Sequence, residues 1–359
     1  MRIGIILGTR PEIIKMSPII RECERRRIDF YIVHTGQHYS YNMDKIFFKE
    51  LNLPEADYNL EIGSGTQGEQ TSRALERIER VLLREKTDVV LVEGDTNTVL
   101  AGALAASKLH IKVGHVEAGL RSYFRFMPEE INRILADHCS DFLFAPTKKA
   151  KKILNGEGVK NNVFITGNTI VDSVIQNLRL AKKSRIISKL QLESESYALV
   201  TAHRLENVDF KERLKGIING LERVNKEFGL RIIYPIHPRT KKNIKSFRIK
   251  IPKSIELIEP VGYLDFLKLE ENARIIMTDS GGVQEESCVL KVPCITLREN
   301  TERPETIEVK ANILAGVNPE KIIRSARIML SRKRNWKNPF GDGRAAERII
   351  RILRREIDK

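Results

Sequence analysis

Ionisable side chains follow several of the apolar, strand-like segments of this sequence, at the points where the segments end. Arg10 and Lys15 follow the first segment, Asp95 follows another, and Glu117 ends the next one. Strands that alternate with helices form a parallel sheet, and ligands bind such a sheet beyond the carboxyl ends of its strands. We therefore expect these side chains to lie at one edge of a sheet, facing a ligand.

Carboxylates at such an edge suit proton abstraction and proton donation. Asp95 and Glu117 stand at two neighbouring strand ends, and Glu129 follows in a Pro-Glu-Glu segment. Crowding and burial push the pKa values of neighbouring carboxyl groups apart, so that one serves as acid and another as base. Each residue alone is also explained by a structural salt bridge, whereas the set of three favours acid–base chemistry.

A glycine-rich segment at 278–286 has the features of a diphosphate-binding turn. A predicted strand runs into Ser280-Gly281-Gly282, where a helix begins. Glycines let the backbone approach an anion closely, and the helix N-terminus offers free N–H groups and a positive potential. Glu286 lies about one turn into this helix, where its carboxylate suits ribose hydroxyls. The other interpretation is an ordinary turn in which Ser280 caps the helix.

Three further side chains are candidates for contacts with a phosphate. Arg10 and Lys15 lie near the start of a predicted helix, where they either reach an anion or belong to a solvated first turn. His203 follows a strand and precedes Arg204, so it is a candidate phosphate partner or general acid, although a lone histidine is more often structural. By contrast, residues 63–68 match G-x-G-x-x-G outside the first strand–turn–helix unit. We interpret them as a flexible loop rather than a dinucleotide site.

The elements that must position these residues form two series, separated by a helix and a basic, polar linker at 170–193. The predicted strands are 2–7, 30–34, 89–93, 112–117, 142–145 and 163–166 in the first series, and 197–201, 230–235, 255–258, 273–278 and 294–297 in the second. Helical patterns lie between them. This alternation predicts an α/β protein with two doubly wound, Rossmann-like domains, spanning 1–170 and 190–343, and a final amphipathic helix within 344–359.

Composition excludes several classes of protein. The chain has 359 residues, 41% of them hydrophobic, which suffices for two cores. No apolar run approaches the ~18 residues of a membrane span, and no signal peptide is expected. The net charge is +15, but aromatic residues make up only 6%. Because base-stacking platforms are therefore missing among the basic clusters, we expect no nucleic-acid partner.

Cysteine spacing indicates a reducing compartment. The cysteines are Cys23, Cys139, Cys288 and Cys294, and none forms a Cys-x-x-Cys pair. This spacing argues against a zinc site and against a disulfide framework. We therefore expect a cytoplasmic protein without a metal centre.

A series of segments, in order along the chain, resembles the non-hydrolysing UDP-N-acetylglucosamine 2-epimerases. The segments are 7–12, 93–96, 115–121, 128–133, 166–169, 278–286 and 301–305. They extend over nearly the whole chain, and the set is specific although no single motif would suffice.

The resemblance implies a glycosyltransferase-B-like fold, with the active site in the cleft between the two domains. It also implies that helix 344–359 crosses back to the first domain. The implied reaction is reversible C2 epimerisation of UDP-GlcNAc to UDP-ManNAc. UDP is eliminated, 2-acetamidoglucal forms, and UDP adds again after protonation on the other face. No cofactor is implied. The family is usually a homodimer, and its product supplies ManNAc-type sugars for surface polysaccharide or glycan synthesis.

Carried onto this sequence, the resemblance assigns a role to each candidate residue. The acid–base carboxylates are Asp95, Glu117 and Glu129, and His203 contacts the diphosphate and assists the departure of UDP. The diphosphate is held by Arg10, Ser280, Gly281 and Gly282, with Lys15 close by. The nucleoside contacts are Glu286 at the ribose, Phe266 against the uracil and Arg303, which completes the pocket.

One segment departs from the family pattern. Bacterial members often carry Ala-Gln-His-Arg followed by Asp-Gln at an allosteric substrate site. This chain keeps Gln37 and His38 but has Tyr39 where the arginine stands. The Gly-Gln-His-Tyr form is similar to that of relatives which epimerise UDP-2,3-diacetamido uronic acids. Alternatives that stay open are an epimerase of such a sugar, a hydrolysing epimerase, a glycosyltransferase-B-type transferase and a nucleotide-sugar-binding protein without turnover.

Overall fold

The computed structural model describes residues 1–37 and 41–357, so His38 and Tyr39 of the Gly-Gln-His-Tyr segment lie outside the described residues. The chain divides into two compact units. The first unit comprises Met1–Gln176 with Phe340–Lys359, and the second comprises Asn177–Pro339.

The first unit is built on a seven-stranded parallel sheet with the order β3-β2-β1-β4-β5-β6-β7. Its elements are β1 (Arg2–Leu7), α1 (Arg10–Arg26), β2 (Asp29–His34), α2 (Tyr41–Glu50), β3 (Tyr58–Asn59), α3 (Gln67–Leu82), β4 (Val89–Glu93), α4 (Asn97–Lys108), β5 (Lys112–Val116), α5 (Pro128–Cys139), β6 (Phe142–Ala145), α6 (Lys148–Gly156) and β7 (Val163–Ile165). Helix α7 (Thr169–Ala181) begins in this unit and continues past its boundary at Gln176.

The second unit is built on a six-stranded parallel sheet with the order β10-β9-β8-β11-β12-β13. Its elements are α8 (Ile186–Lys189), β8 (Tyr197–Thr201), α9 (Leu205–Val208), α10 (Lys211–Phe228), β9 (Arg231–Pro235), α11 (Pro238–Ser246), β10 (Ile255–Ile258), α12 (Tyr263–Asn272), β11 (Ile275–Thr278), α13 (Gly281–Leu290), β12 (Cys294–Thr296), α14 (Pro304–Glu308), β13 (Asn312–Leu314) and α15 (Pro319–Leu330). The last helix of the chain is α16 (Ala345–Ile357).

The strand orders confirm the predicted pair of doubly wound, Rossmann-like sheets. Each order reverses direction once, between β1 and β4 in the first sheet and between β8 and β11 in the second. Ligands bind doubly wound sheets beyond the carboxyl ends of the strands at such a reversal. Each unit therefore has one place where its fold favours a site.

The central strands of both sheets are buried, as the strands β4 and β11 show. All five residues of β4 are buried, as expected for a parallel strand inside such a structure. At Gly114 in β5, an added Cβ atom would lie 2.6 Å from a side-chain atom of Leu91 and 3.0 Å from one of Phe144. Close packing between neighbouring strands therefore requires glycine at this position.

The sequence prediction missed two short strands and misplaced several strand ends. Both missed strands, β3 and β13, have three residues or fewer, so they carry little periodic signal. Strand β5 ends one residue before the predicted end because Glu117 has φ = 68°. That left-handed conformation cannot continue a strand.

Helix α16 belongs to the first unit, where it packs against α1. The Asp172 carboxylate accepts hydrogen bonds from the backbone N–H groups of Ala345 (3.1 Å) and Ala346 (3.0 Å) and so caps the helix. Burial raises the pKa of Asp172 to about 6, although these hydrogen bonds oppose the shift. The buried face of α16 consists of Ala345, Ala346, Ile349, Ile350 and Leu353.

Two smaller features bear on the expected function. Residues 63–68 form a loop and the first turn of α3, where Thr66 and Glu69 make a capping box. Within 1–37 and 41–357, no helix is both long enough and apolar enough to cross a membrane.

Candidate active site

Buried charges crowd the carboxyl ends of β1, β4 and β5 in the first unit. The Lys15 Nζ atom forms an ion pair with Glu117 Oε2 and lies 3.2 Å from Glu93 Oε1. Glu12, one turn before Lys15 on α1, accepts a hydrogen bond from the backbone N–H of Gly8 (2.6 Å). We call Glu12, Lys15, Glu93 and Glu117 the lysine–carboxylate cluster. All four residues are buried, so water screens their charges poorly.

This crowding favours protonated carboxyl groups. Burial raises the pKa of Glu93 well above its usual range; Lys15 opposes the shift, while Glu117 and Glu12 add to it. Burial also raises the pKa of Glu12 to about 7, against the effect of its hydrogen bonds with Thr96 and Gly8. The cluster therefore keeps exchangeable protons near neutral pH, as acid–base chemistry requires.

The backbone around Glu117 is held in an uncommon conformation. Glu117 has φ = 68°, which costs a non-glycine residue free energy and is found preferentially at functional sites. The Asn168 side chain donates a hydrogen bond to Glu117 Oε2 (3.0 Å). Two oriented donors, Lys15 and Asn168, thus hold the same carboxylate oxygen.

His115 supports the turn after β4. Its Nδ1 lies 2.7 Å from Asp137 Oδ1, and its Nε2 lies 2.8 Å from the Gly94 carbonyl oxygen. Burial lowers the pKa of His115, but the Asp137 carboxylate opposes this effect, and the pKa is raised overall. Through these two contacts, the His115 ring fixes the turn that carries Asp95.

Asp95 is held by α5. Its carboxylate pairs with Arg133, and its carbonyl oxygen accepts a hydrogen bond from the Asn132 side chain (3.0 Å). The Asp95 side chain remains 29% exposed, so it is accessible to a ligand. Glu129, the second residue of α5, is partly exposed at the same end of the sheet. Its neighbour Glu130 is buried and forms an ion pair with Arg133 (2.8 Å).

The two basic candidates of α1 have different surroundings. Arg10, the first residue of the helix, places its guanidinium 4.7 Å from the centre of the Phe47 ring. Lys15, for which we expect a place close to the diphosphate, contacts the carboxylates of Glu93 and Glu117 within this unit. Through these contacts within the unit, the positive charge of Lys15 favours the ionised forms of the carboxyl groups beside it.

In the second unit, the N-terminus of α13 is open. Ser280 occupies the N-cap position, as the alternative interpretation expects, but its side chain makes no capping hydrogen bond. A Cβ atom added at Gly282 would meet only the Ser280 hydroxyl oxygen, at 4.0 Å. At Gly281 the nearest atoms would belong to the Arg303 guanidinium, at 3.8 Å. Backbone N–H groups and an arginine therefore lie side by side, which suits a diphosphate.

Asp279 ties the turn after β8 to this helix end. Its carboxylate accepts hydrogen bonds from the backbone N–H groups of His203 (3.0 and 3.1 Å) and Arg204 (3.0 Å), and from the Asn207 side chain (3.1 Å). The His203 side chain is 43% exposed, and its Nδ1 lies 3.5 Å from Asp279 Oδ1. The backbone of His203 is therefore fixed by Asp279, while its exposed imidazole is accessible to a ligand.

The nucleoside candidates gather on α12, α13 and the segment before α14. Arg303 forms a buried ion pair with Glu285 (2.6 Å). Glu286 accepts a hydrogen bond from the Tyr263 hydroxyl group (2.9 Å). Phe266, one turn after Tyr263, packs partly buried against the core beside β8 and β11.

The structure thus brings the predicted residues together in two sets, one at each sheet edge. The set in the first unit is Arg10, Lys15, Asp95, Glu117 and Glu129; the set in the second unit is His203, Phe266, Ser280, Gly281, Gly282, Glu286 and Arg303. Sequence reasoning gave no role to Glu12, Glu93, Arg133 or Asp279. The signal that marks Glu93 and Asp279 is a charged residue at the end of an otherwise apolar strand.

Known proteins similar to this chain bear on the chemistry of these sets. The chain matches the family described as UDP-N-acetylglucosamine 2-epimerase over residues 21–354. The UDP-N-acetylglucosamine 2-epimerase of Methanocaldococcus jannaschii is 62% identical over 98% of this chain and 99% of that protein. The UDP-2,3-diacetamido-2,3-dideoxy-D-glucuronate 2-epimerase of Pseudomonas aeruginosa is 42% identical over 98% and 99%. The crystal structure of the M. jannaschii enzyme in complex with UDP-GlcNAc and UDP matches with a TM-score of 0.93, covering 98% of this chain and 99% of that one.

Proposed function

Because this chain belongs to the UDP-N-acetylglucosamine 2-epimerase family, we propose that it interconverts UDP-GlcNAc and UDP-ManNAc by inversion at C2. One observation carries the proposal: 62% identity, over nearly the full length of both chains, to an enzyme of that name. The buried acids of the first unit and the open helix end of the second unit supply the chemistry that this reaction needs.

The second unit holds the UDP group. The N–H groups at Gly281 and Gly282, the positive end of α13 and the Arg303 guanidinium stabilise the diphosphate. This stabilisation increases when UDP departs, because the β-phosphate oxygen then gains negative charge. His203 contacts the same phosphate and assists the departure. Glu286 and Phe266 contact the ribose and the uracil.

The first unit moves the proton. A carboxylate takes the C2 proton, the C–H electron pair forms the C1–C2 double bond, and the C1–O bond breaks with its pair on UDP. In the second half, a carboxylic acid returns a proton to the opposite face of C2, and the UDP oxygen attacks C1. Asp95, Glu117 and Glu129 are the acid–base groups, and Lys15 and Asn168 orient Glu117. The C2 proton is weakly acidic, so base and leaving-group stabilisation must act together.

The second candidate function is C2 epimerisation of a UDP-2,3-diacetamido uronic acid. The observation that favours it is the 42% identity to the P. aeruginosa enzyme named for that reaction. The same acids and the same nucleotide contacts serve both sugars, since both reactions remove the proton at C2.

The decisive experiment is proton NMR of the purified protein with UDP-GlcNAc in deuterated water. We expect UDP-ManNAc to appear, with deuterium at C2 of both sugars. Free ManNAc together with UDP would instead indicate a hydrolysing epimerase. Binding without exchange would indicate a transferase or a different sugar, and a parallel sample with the UDP-2,3-diacetamido uronic acid separates those two outcomes.

We further infer a cytoplasmic homodimer whose product supplies ManNAc-type sugars for surface polysaccharide or glycan synthesis. All four cysteines are free thiols, as is typical of a reducing compartment. Light scattering of the purified protein tests the dimer, because a single mass near 41.1 kDa would contradict it.

A further inference from the structure

Glu93 is a member of the lysine–carboxylate cluster that has no role in the proposed reaction and directly contacts Lys15. It is the last residue of β4, beside the strand end that carries Glu117. The side chains of Glu93 and Glu117 are 2% and 3% exposed, and that of Lys15, which contacts both, is 8% exposed. A group so placed acts on the reaction through its effect on Lys15.

The charges of the cluster do not balance when every group is ionised. Glu93 faces Lys15 and Glu12 from α1 and Glu117 from the turn after β5. Asp95, after the same strand, interacts with Glu12. Three carboxylates and one ammonium in a buried space would leave an excess negative charge, which burial makes costly.

The cluster relieves this excess by keeping protons. The pKa of Glu93 is raised well above its usual range by burial, and that of Glu12 is raised to about 7. A protonated Glu93 is neutral and still presents an oxygen to Lys15. The ammonium then faces Glu117 with one competing negative charge fewer.

We propose that Glu93 is a positioning residue: in its neutral form it holds the Lys15 ammonium beside Glu117 without competing for its charge. The inference rests on the proposed function, because it assumes that Glu117 moves a proton of the substrate. When Glu93 loses its proton at higher pH, a second carboxylate competes for Lys15, and activity falls. Glu93 thus sets the alkaline limit of turnover.

Two substitutions in the full chain separate shape from charge. Glu93→Gln reproduces the neutral acid, so we expect kcat near neutral pH and KM to stay within about twofold of the wild-type values. Its activity should extend to higher pH than that of the wild type, because residue 93 no longer titrates. Glu93→Leu removes the oxygen that contacts Lys15, so kcat should fall about tenfold or more with little change in KM. The matched control is Glu76→Gln, because Glu76 is an exposed glutamate that pairs with Arg80. This variant should change neither kcat, nor KM, nor the pH profile.

The pH profile of kcat is the readout that a merely structural role would leave unchanged. A Glu93→Gln variant that loses as much kcat as Glu93→Leu would overturn the proposal, because the charge of Glu93 would then be required. An unchanged alkaline limit in Glu93→Gln would overturn it too. If Glu93→Leu fails to fold, the pH profile of kcat for Glu93→Gln tests the proposal by itself.

A second measurement is independent of turnover. The infrared difference spectrum between the wild type and Glu93→Gln at neutral pH should contain the carbonyl band of a protonated carboxylic acid. A carboxylate band in its place would overturn the proposal even in an active enzyme. Lack of C2 exchange by the wild type, in contrast, would refute the proposed function whatever the infrared result.

Discussion

The two sheet edges that carry the candidate residues differ in how they treat buried carboxylates. In the first unit, Glu12, Glu93 and Glu117 surround Lys15, and the pKa values of Glu12 and Glu93 are raised. In the second unit, Glu302 receives two hydrogen bonds from Arg298 (3.0 and 2.8 Å). Burial raises the pKa of Glu302, but the contacts with Arg298 outweigh this effect and hold the pKa well below its usual range.

The same contrast extends to the groups nearest the proposed substrate. Glu285 forms an ion pair with Arg303, and the Asp279 carboxylate accepts hydrogen bonds from backbone N–H groups. Glu270 on α12 is an exception, because burial and the neighbouring Glu286 raise its pKa. It lies two turns along the helix from Tyr263, which contacts Glu286.

Two sheets with the same central strand order therefore support different tasks. A shortage of cations keeps protons exchangeable in the first unit, which suits proton transfer. In the second unit, arginines keep the neighbouring carboxylates ionised, and the N-terminus of α13 supplies the positive potential that suits an anion. The strand order determines where a site lies, and the side chains at that place determine its chemistry.

The largest expected effect separates catalysis from nucleotide binding. Asp95→Asn removes an acid–base group of the first unit, so we expect kcat to fall about 10³-fold. UDP affinity, which we attribute to the second unit, should stay within about twofold. Kinetics and calorimetric titration with UDP measure the two quantities. The exposed Asp29, paired with Arg2, provides the control Asp29→Asn, which should change neither. Weak UDP binding by a folded Asp95→Asn variant would count against its catalytic role.

A smaller effect tests the difference in protonation. The folded-state pKa of Glu12 is about 7, above its value of 4.5 in an unfolded chain. A raised folded-state pKa contributes stability below the unfolded value and loses it as pH rises. The free energy of unfolding should therefore decrease by roughly 3 kcal/mol between about pH 4.5 and about pH 7 through Glu12. Urea denaturation at several pH values measures this decrease as a pH-dependent stability difference between the wild type and Glu12→Gln.

Glu302 supplies the comparison from the second unit. Its folded-state pKa is lowered, so its contribution is present above the unfolded value of 4.5 and lost only as pH falls below it. The stability difference between the wild type and Glu302→Gln should accordingly be constant from about pH 5 to about pH 8. A pH-dependent difference at Glu302, or a constant one at Glu12, would remove the contrast between the two units.

The smallest expected effect concerns the open helix end. Gly282 and Gly68 are each the second residue of a helix. A Cβ atom added at Gly282 would have its nearest neighbour at 4.0 Å, and one added at Gly68 would have no neighbour within 4 Å. Gly282→Ala should weaken UDP binding about tenfold because its methyl group displaces the diphosphate. Gly68→Ala should leave UDP affinity unchanged. Both variants should melt no lower than the wild type, since alanine favours a helix. Equal affinities in the two variants would place the diphosphate elsewhere.

Local sequence determined the elements and the order in which chemistry appears along the chain. Largely apolar runs such as 2–7 and 89–93 predicted β1 and β4 because a strand buried on both faces is predominantly apolar. The glycines at 281 and 282 marked a helix end open to an anion, since only the absence of a side chain leaves the N–H groups accessible.

Tertiary structure alone decided which charges meet. The partners of Lys15 could not be predicted, because α1 contributes Lys15 and two separate strand ends contribute Glu93 and Glu117. Sequence specifies each residue's own chemistry, whereas burial and the nearest opposite charge, which set a pKa, arise only when distant segments pack together.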